Sequence, residues 1–173
     1  MFGWGVLFVS VGEDVVRGLV VKWLRNTGFV VLRGVSVSPL ELDVVAVGDV
    51  MMSRGVVKKS DDVFVYTFDV RAITSGKVLK SVIEQAVTRL FAADYAYIAV
   101  PRRATIETSK GKQKAVDLPK LVQRAANGPL SRRLGVVAVE PPKIEIVRWA
   151  LRSNLVVDEL RNRVLERARE ELP

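Results

Sequence analysis

Two acidic residues interrupt apolar runs that are otherwise typical of buried strands. Asp43 lies within the run from Glu41 to Asp49, and Asp69 lies within the run from Val63 to Ala72. Neighbouring strands would bring these carboxylates together, and like charges at close range repel unless a positive group lies between them. Since the sequence contains no His and no Cys, we expect Asp43 and Asp69 to bind a hard divalent metal, Mg²⁺ or Mn²⁺. Such a metal favours phosphoryl chemistry.

Glu13 and Arg71 extend this candidate site. Glu13 lies near the start of a predicted helix, at the edge of its apolar face, where its carboxylate would reach the sheet. Arg71 follows Asp69 by two positions, so both side chains project to the same side of a strand. Each also has a structural interpretation, because acids are favoured in the first turn of a helix and an Asp beside an Arg forms a local ion pair.

The predicted elements that position these residues follow the order α-β-β-β-α-β-α-β-α. Apolar spacing and end residues predict helices over Gly12–Asn26, Val78–Phe91, Asp117–Gly128 and Ser153–Leu172. β-Branched density predicts strands over Phe29–Val37, Glu41–Asp49, Val63–Ala72, Tyr95–Pro101 and Gly135–Pro142. The segment Val56–Asp62 is expected to be a polar turn. This order predicts an α/β fold with a mixed central sheet and helices on both faces.

The positive charge of the chain is concentrated in one segment. The net charge is +8, and residues 102–133 carry 9 basic and 2 acidic residues. A concentrated basic segment fits a polyanionic partner, usually nucleic acid, and from charge alone a solvated loop is equally compatible. The candidate contacts to a nucleic-acid backbone are Arg102, Arg103, Lys110, Lys112 and Lys114.

Length and hydropathy restrict the class of protein further. The 173 residues fit one domain over residues 1–150, followed by an amphipathic helix over residues 151–173 that packs on the domain or on a partner subunit. No apolar run approaches the roughly 20 residues that span a bilayer, and the first residues lack a basic leader. We therefore expect a cytoplasmic protein without a membrane partner, and a homodimer through the last helix is one alternative.

The succession of candidate residues resembles the PD-(D/E)xK, or restriction endonuclease-like, nuclease superfamily. The resemblance comprises a helix-borne Glu13, Asp43 in LDVVAV, Asp69 and Arg71 in FDVRA, and Gln85 on the helix before ADYAYIAVP. Within the superfamily it is nearest to archaeal Holliday junction resolvases and RecB-type nuclease domains, and it covers roughly residues 10–142.

The resemblance implies a restriction endonuclease-like fold and metal-dependent hydrolysis of phosphodiester bonds in DNA. Asp43 and Asp69 would hold Mg²⁺ or Mn²⁺ with help from the Val70 carbonyl. Glu13 would assist metal or water binding, and Gln85 corresponds to the glutamine that the family carries on a helix.

Arg71 departs from the family pattern, because it stands where the family has a lysine that orients or activates the attacking water. Arginine keeps the charge but is effectively never deprotonated, and the nearby Lys77 and Lys80 are alternative sources of the amine. Two hypotheses follow: a nuclease in which Arg71 stabilises the transition state, or a catalytically inactive relative that acts as a DNA-binding or assembly module. A structural homo-oligomer is a third.

Overall fold

The computed structural model describes residues 11–172. The helices in this part of the chain are α1 (Glu13–Thr27), α2 (Gly76–Thr88), α3 (Leu118–Ala125) and α4 (Asp158–Glu170). The strands are β1 (Val30–Val37), β2 (Leu40–Ser53), β3 (Val56–Val70), β4 (Tyr95–Pro101), β5 (Arg103–Glu107), β6 (Gln113–Asp117), β7 (Gly135–Glu140) and β8 (Lys143–Arg148). Short 3₁₀ turns cover Arg89–Phe91 and Ser131–Arg133.

Six of these strands form one mixed sheet in the order β1-β2-β3-β4-β7-β8. The first three strands form an antiparallel meander, β3, β4 and β7 run parallel, and β8 returns antiparallel to β7. Helix α1 packs on one face of the sheet, while α2, α3 and α4 pack on the other. The predicted mixed α/β architecture with helices on both faces is therefore confirmed.

Local sequence explains where the helices begin and end. Helix α1 ends at Gly28, whose φ of 111° is a left-handed conformation that glycine adopts without steric cost. Helix α2 begins at Ser75, whose hydroxyl accepts a hydrogen bond from the Val78 amide, and Asp117 caps α3 in the same way. These caps fix the two ends of the segment that contains β4 and the hairpin formed by β5 and β6.

Aromatic side chains fix the pairing of the two central strands. In the parallel register of β3 and β4, Phe68 lies beside Tyr97, and their rings stack with centroids 5.0 Å apart. Tyr66 stacks on Tyr95 at the same separation. All seven residues of β4 are buried, as expected for a strand covered on both faces. This packing sets the position of Asp69, which follows Phe68 on β3.

The sequence prediction is wrong in three places. Val56–Asp62, expected as a turn, belongs to β3, and the turn lies instead at Arg54 and Gly55. The basic segment contains the hairpin β5–β6, and β8 follows β7. These strands are exposed and polar on at least one side, so they lack the apolar density by which buried strands are recognised.

Helix α4 packs back on the sheet at β1. Val164 and Ala168 are buried against Leu32, Val35 and Val37. No helix within residues 11–172 is long and apolar enough to cross a membrane.

Candidate functional site

Asp43 reaches the α1 face of the sheet because the alternation of side chains is interrupted beside it. Leu42 and Val45 both pack in the cluster that includes α4, although strict alternation would place residues three apart on opposite faces. On β1, Leu32 and Val35 show the same interruption across Gly34, whose φ is 61°. In both strands, the positions that face the α4 side and those that face the α1 side are therefore exchanged at the same level of the sheet. As a result, Asp43 points towards α1.

Arg17 of α1 binds both oxygens of the Asp43 carboxylate. Its Nε donates to Oδ1 at 2.8 Å and its Nη2 donates to Oδ2 at 3.3 Å. The Val70 amide also donates to Oδ2, at 2.9 Å, and Nη1 of Arg71 lies 3.7 Å from the same oxygen. The hydrogen bond to Asp43 is the largest cause of the raised pKa of Arg17. Asp43 is thus neutralised by two guanidinium groups and an amide.

Glu13 joins the same cluster from the first turn of α1. Its Oε1 accepts a hydrogen bond from the Ala72 amide at 2.6 Å, and its Oε2 lies 3.7 Å from Nη2 of Arg17. Arg17 also contacts the exposed Asp14 at 3.0 Å. Glu13 therefore ties α1 to the backbone that follows β3, and Arg17 is the cation around which three carboxylates gather.

Asp69 is held on the opposite face of the sheet. Its neighbours Phe68 and Val70 pack on the α1 side, whereas Asp69, 3% exposed, pairs with the buried Arg89 at the end of α2. The Arg89 Nε lies 3.4 Å from each carboxylate oxygen, and Oδ2 accepts no hydrogen bond within residues 11–172. Burial raises the pKa of Asp69, Arg89 and Arg71 oppose the shift, and Asp43 adds to it.

The predicted site residues therefore meet only in part. Glu13, Asp43 and Arg71 come together at the end of β3, and Asp69 approaches that end from the other face. Arg71 donates from Nη1 to the Val70 carbonyl at 3.2 Å, which occupies the backbone oxygen expected to help hold a metal. Gln85 is exposed on α2, and its backbone carbonyl accepts a hydrogen bond from the Thr88 hydroxyl.

These carboxylates do not fit a divalent metal as they stand. Both oxygens of Asp43 are engaged by Arg17 and the Val70 amide, and Asp69 is buried against Arg89. Within the part of the chain that the structure describes, no group of three or more acidic side chains could hold a metal ion. A cation that chelated both oxygens of Asp43 would displace the Arg17 guanidinium group, so the arrangement is that of an arginine-neutralised acidic cluster.

A basic hairpin lies beside this acidic cluster. We use the name basic hairpin for residues 103–117, the strands β5 and β6 and the turn between them. The hairpin is attached to the loop after β3 at the end of β5 that adjoins its turn, because the Glu107 amide donates to the Thr74 carbonyl at 2.7 Å and Glu107 forms a β-bridge with Ser75. The same loop carries Arg71, so the hairpin and the acidic cluster share one segment.

The lysines of the basic hairpin are available to a ligand. Lys110, Lys112 and Lys114 are all exposed, and Gly111 at the turn has a φ of 74° that keeps the turn tight. Lys77, in the first turn of α2, is exposed near this attachment of the hairpin. Arg103 lies on the outer, exposed face of β5.

Arg102, the remaining predicted contact, has acidic partners. Its Nε lies 3.2 Å from Glu140, and its Nη2 donates to Glu145 at 2.5 Å. It therefore joins the start of the hairpin to β7 and β8, and its charge is largely compensated.

Sequence reasoning missed the two arginines that dominate the acidic cluster. Arg17 lies one turn after Glu13, beside the buried Val16 and Val20 of α1. Arg89 follows the buried Ala86 by three residues, on the apolar side of the helical segment. A cation on or beside an apolar stripe indicates a buried acidic partner, since an unpaired buried charge is costly. That indication was available in the sequence, although it did not identify the partner.

Comparison with known proteins supports the fold and gives no information on function. No protein-family model matches the sequence, and no curated protein matches it either. The chain is similar in structure to SPO1766, a protein of unknown function from Silicibacter pomeroyi, with a TM-score of 0.54 and 13% sequence identity. The similarity covers 92% of this chain and 86% of that one, so the mixed α/β architecture extends over nearly the whole of both.

Proposed function

We propose that this chain is a nucleic-acid-binding protein, with DNA as the expected ligand, built on a restriction endonuclease-like fold whose acidic site is neutralised by arginine instead of a metal ion. The observation that carries the proposal is the two-point hydrogen bond from Arg17 to Asp43. This bond neutralises the acidic charge that would otherwise require a metal ion. Arg71 adds a second positive charge beside Asp43, and Arg89 neutralises Asp69.

The restriction endonuclease-like part of the proposal is supported by the arrangement around the site. An antiparallel meander carries Asp43 and Asp69 on neighbouring strands, and a helix leads from the meander into a parallel strand. A helix-borne Glu13 contacts the end of the second of these strands through Ala72. This order agrees with the resemblance found in the sequence.

The nucleic-acid part is supported by the basic hairpin. Three exposed lysines on one turn and strand offer phosphate contacts without acidic partners within residues 11–172, and Lys77 adds a fourth nearby. Contacts to the phosphate backbone dominate nucleic-acid affinity and make it strongly dependent on salt. An arginine-neutralised cluster beside the hairpin also removes negative charge that would repel a polyanion.

Replacing the three hairpin lysines tests binding. We expect Lys110→Gln, Lys112→Gln and Lys114→Gln together to weaken duplex binding and to reduce the slope of log affinity against log salt by up to about 3, because each phosphate contact adds about 0.9. Fluorescence anisotropy with labelled duplex, single-stranded and branched DNA measures both. A matched triple variant removes the same charge elsewhere, at Lys22, Lys59 and Arg169. Equal losses in the two triple variants would overturn the assignment of the hairpin.

A metal-dependent nuclease is the second candidate, because Glu13, Asp43 and Asp69 all approach the same end of β3. Incubation of the wild type with the same DNA substrates and Mg²⁺ or Mn²⁺ separates the two candidates. The proposal expects binding without cleavage. Metal-dependent cleavage that disappears in both Asp43→Ala and Asp69→Ala would replace it with the nuclease.

A further inference from the structure

A cationic pocket lies at the opposite end of the sheet from the acidic cluster. The cavity has a volume of about 650 Å³, and its lining includes Arg54, Lys58, Arg133 and Arg152, together with the apolar surfaces of Tyr95 and Leu151. No acidic residue is among the lining residues within the part of the chain that the structure describes. Four like charges around one cavity repel each other, and an anion would relieve that repulsion.

Two of the four cations are held in place before any ligand binds. The Leu151 amide donates to the Arg133 carbonyl at 3.0 Å, and Arg133 Nη1 donates to the Arg152 carbonyl at 2.9 Å. The guanidinium of Arg152 lies over the ring of Phe64, 5.6 Å from its centroid. Because these contacts use backbone carbonyls and a ring, they orient the guanidinium groups without neutralising them.

Arg54 occupies a backbone conformation that disfavours arginine. It is the first of the two residues between Ser53 and Val56, which pair across the turn from β2 to β3. Arg54 has a φ of 49° and Gly55 a φ of 80°, the pattern of a type I′ turn, for which Asn or Gly is preferred at the first position. Among residues 11–172, Arg54 is the single non-glycine residue with a positive φ. A strained cation at the mouth of a cationic cavity points to a ligand.

We propose that the cationic pocket binds an organic phosphomonoester of nucleotide size. Arginine forks and a lysine match the charge and geometry of a phosphate group, while the exposed side chains of Val56 and Leu151 offer apolar contact to the organic part. The volume lies within the range of small-molecule sites, about 300–1,000 Å³. The ligand is a free mononucleotide or the 5′-phosphorylated end of a nucleic-acid strand, since both present the same group.

Isothermal titration calorimetry with adenosine 5′-monophosphate, a 5′-phosphorylated oligonucleotide and its 5′-hydroxyl counterpart tests the proposal. We expect binding of the mononucleotide if the source is a free nucleotide, and preference for the phosphorylated strand over the hydroxyl strand if the source is a strand end. Equal binding of both oligonucleotides without binding of the mononucleotide overturns the proposal, because it indicates general attraction of polyanions. Binding of none of the three probes overturns it as well.

Lys58 and its neighbour Lys59 supply a matched control. Lys58 lines the pocket, whereas Lys59 does not and lies beside Asp49, and both changes to Gln remove one charge from the same strand. We expect Lys58→Gln to weaken binding of the probe about tenfold or more and Lys59→Gln to leave it unchanged. Equal effects of the two changes contradict a specific site.

Arg54→Asn separates binding from folding. Asn accepts a positive φ more readily than Arg, so we expect the melting temperature to rise while the affinity for the probe falls about tenfold or more. A merely structural role for Arg54 would move the melting temperature alone, and unchanged affinity would overturn the proposal. The hairpin triple variant should bind the mononucleotide normally, which keeps this result independent of the proposed function.

Discussion

Asp69, near the end of β3, and Asp94, directly before the neighbouring parallel strand β4, are equally buried, yet they have very different environments. Both residues are 3% exposed. Asp94, directly before β4, accepts a hydrogen bond from the Val65 amide at 2.7 Å and is bound by Arg161 through Nε at 3.2 Å and Nη2 at 3.0 Å. Asp69, near the end of β3, has one arginine contact at 3.4 Å.

The difference indicates that Asp94 has a structural role, whereas Asp69 belongs to the candidate site. Asp94 joins β3, β4 and α4, since Arg161 also donates to the Val63 carbonyl at 2.8 Å and the Ser153 amide donates to the Asp94 carbonyl. Asp69 and its neighbour Thr67 each leave a buried side-chain oxygen without a hydrogen bond among the described residues. Buried polar groups are rarely left unsatisfied without a reason, so the end of β3 is where the fold tolerates electrostatic strain.

The largest expected effect is that of removing the Asp94 charge. Asp94→Asn leaves Arg161 without its counter-ion, and breaking a buried ion pair in this way costs about 3–5 kcal/mol. Chemical denaturation monitored by circular dichroism measures the free energy of unfolding. The exposed Asp62 nearby supplies the control, since Asp62→Asn should change stability little. A small effect of Asp94→Asn would mean that the two acids do not differ as described.

Arg17→Ala should have an intermediate effect. It leaves the partly buried Asp43, 14% exposed at its side chain, with the Val70 amide and the more distant Arg71, and we expect a loss of about 1–3 kcal/mol. Asp14→Ala removes the exposed partner of the same arginine and should change stability little. If Arg17→Ala proved neutral in the same denaturation assay, arginine would not be what stabilises the acidic cluster.

The smallest expected effect is that of Asp69→Asn, a change of less than about 1 kcal/mol at pH 7. The raised pKa of Asp69 means that the fold disfavours its charged form even beside Arg89, so the desolvation cost that the change removes offsets the loss of the 3.4 Å contact. The raised pKa of Asp69 gives this change a pH dependence. The folded protein binds the proton more tightly than the unfolded chain, so the wild type loses stability as pH rises from the ordinary value of 3.8 through the raised one.

The Asn variant lacks that loss, and its stability relative to the wild type should therefore increase between acidic and neutral pH. Denaturation curves at pH 4 and pH 7 measure the difference. The opposite trend, or a cost as large as that of Asp94→Asn, would remove the distinction between the two acids.

The sequence predicts the buried half of this fold well and the exposed half poorly. The strand Tyr95–Pro101 and the helix capped by Asp117 agree with the structure, because apolar runs and capping residues report directly on burial and helix ends. The polar start of β3 has the composition of a turn, because it pairs with β2 while its side chains face solvent. A strand that pairs through its backbone without burying its side chains needs no apolar pattern, so its sequence does not identify it.

The sequence identifies the acidic residues of the candidate site but not the arginines that bind them. Neighbouring strands do carry Asp43 and Asp69, but the interrupted alternation at Gly34 and Asp43 sends the two carboxylates to opposite faces. The rule that side chains alternate strictly along a strand cannot predict such an interruption. The contact from Arg17 to Asp43 spans 26 residues, so it depends on how α1 lies across the sheet.

The attachment of the basic hairpin to the loop after β3 gives that loop a mechanical role. The Thr74–Glu107 hydrogen bond joins the turn that carries Lys110 to the loop that carries Arg71. A polyanion that immobilises the turn would also restrain the loop after β3, and the amides of Glu107 and Arg71, which are hydrogen-bonded to Thr74 and Ala99, would then exchange their protons more slowly with solvent. Binding at the exposed turn would in this way restrain the loop that carries Arg71 beside Asp43.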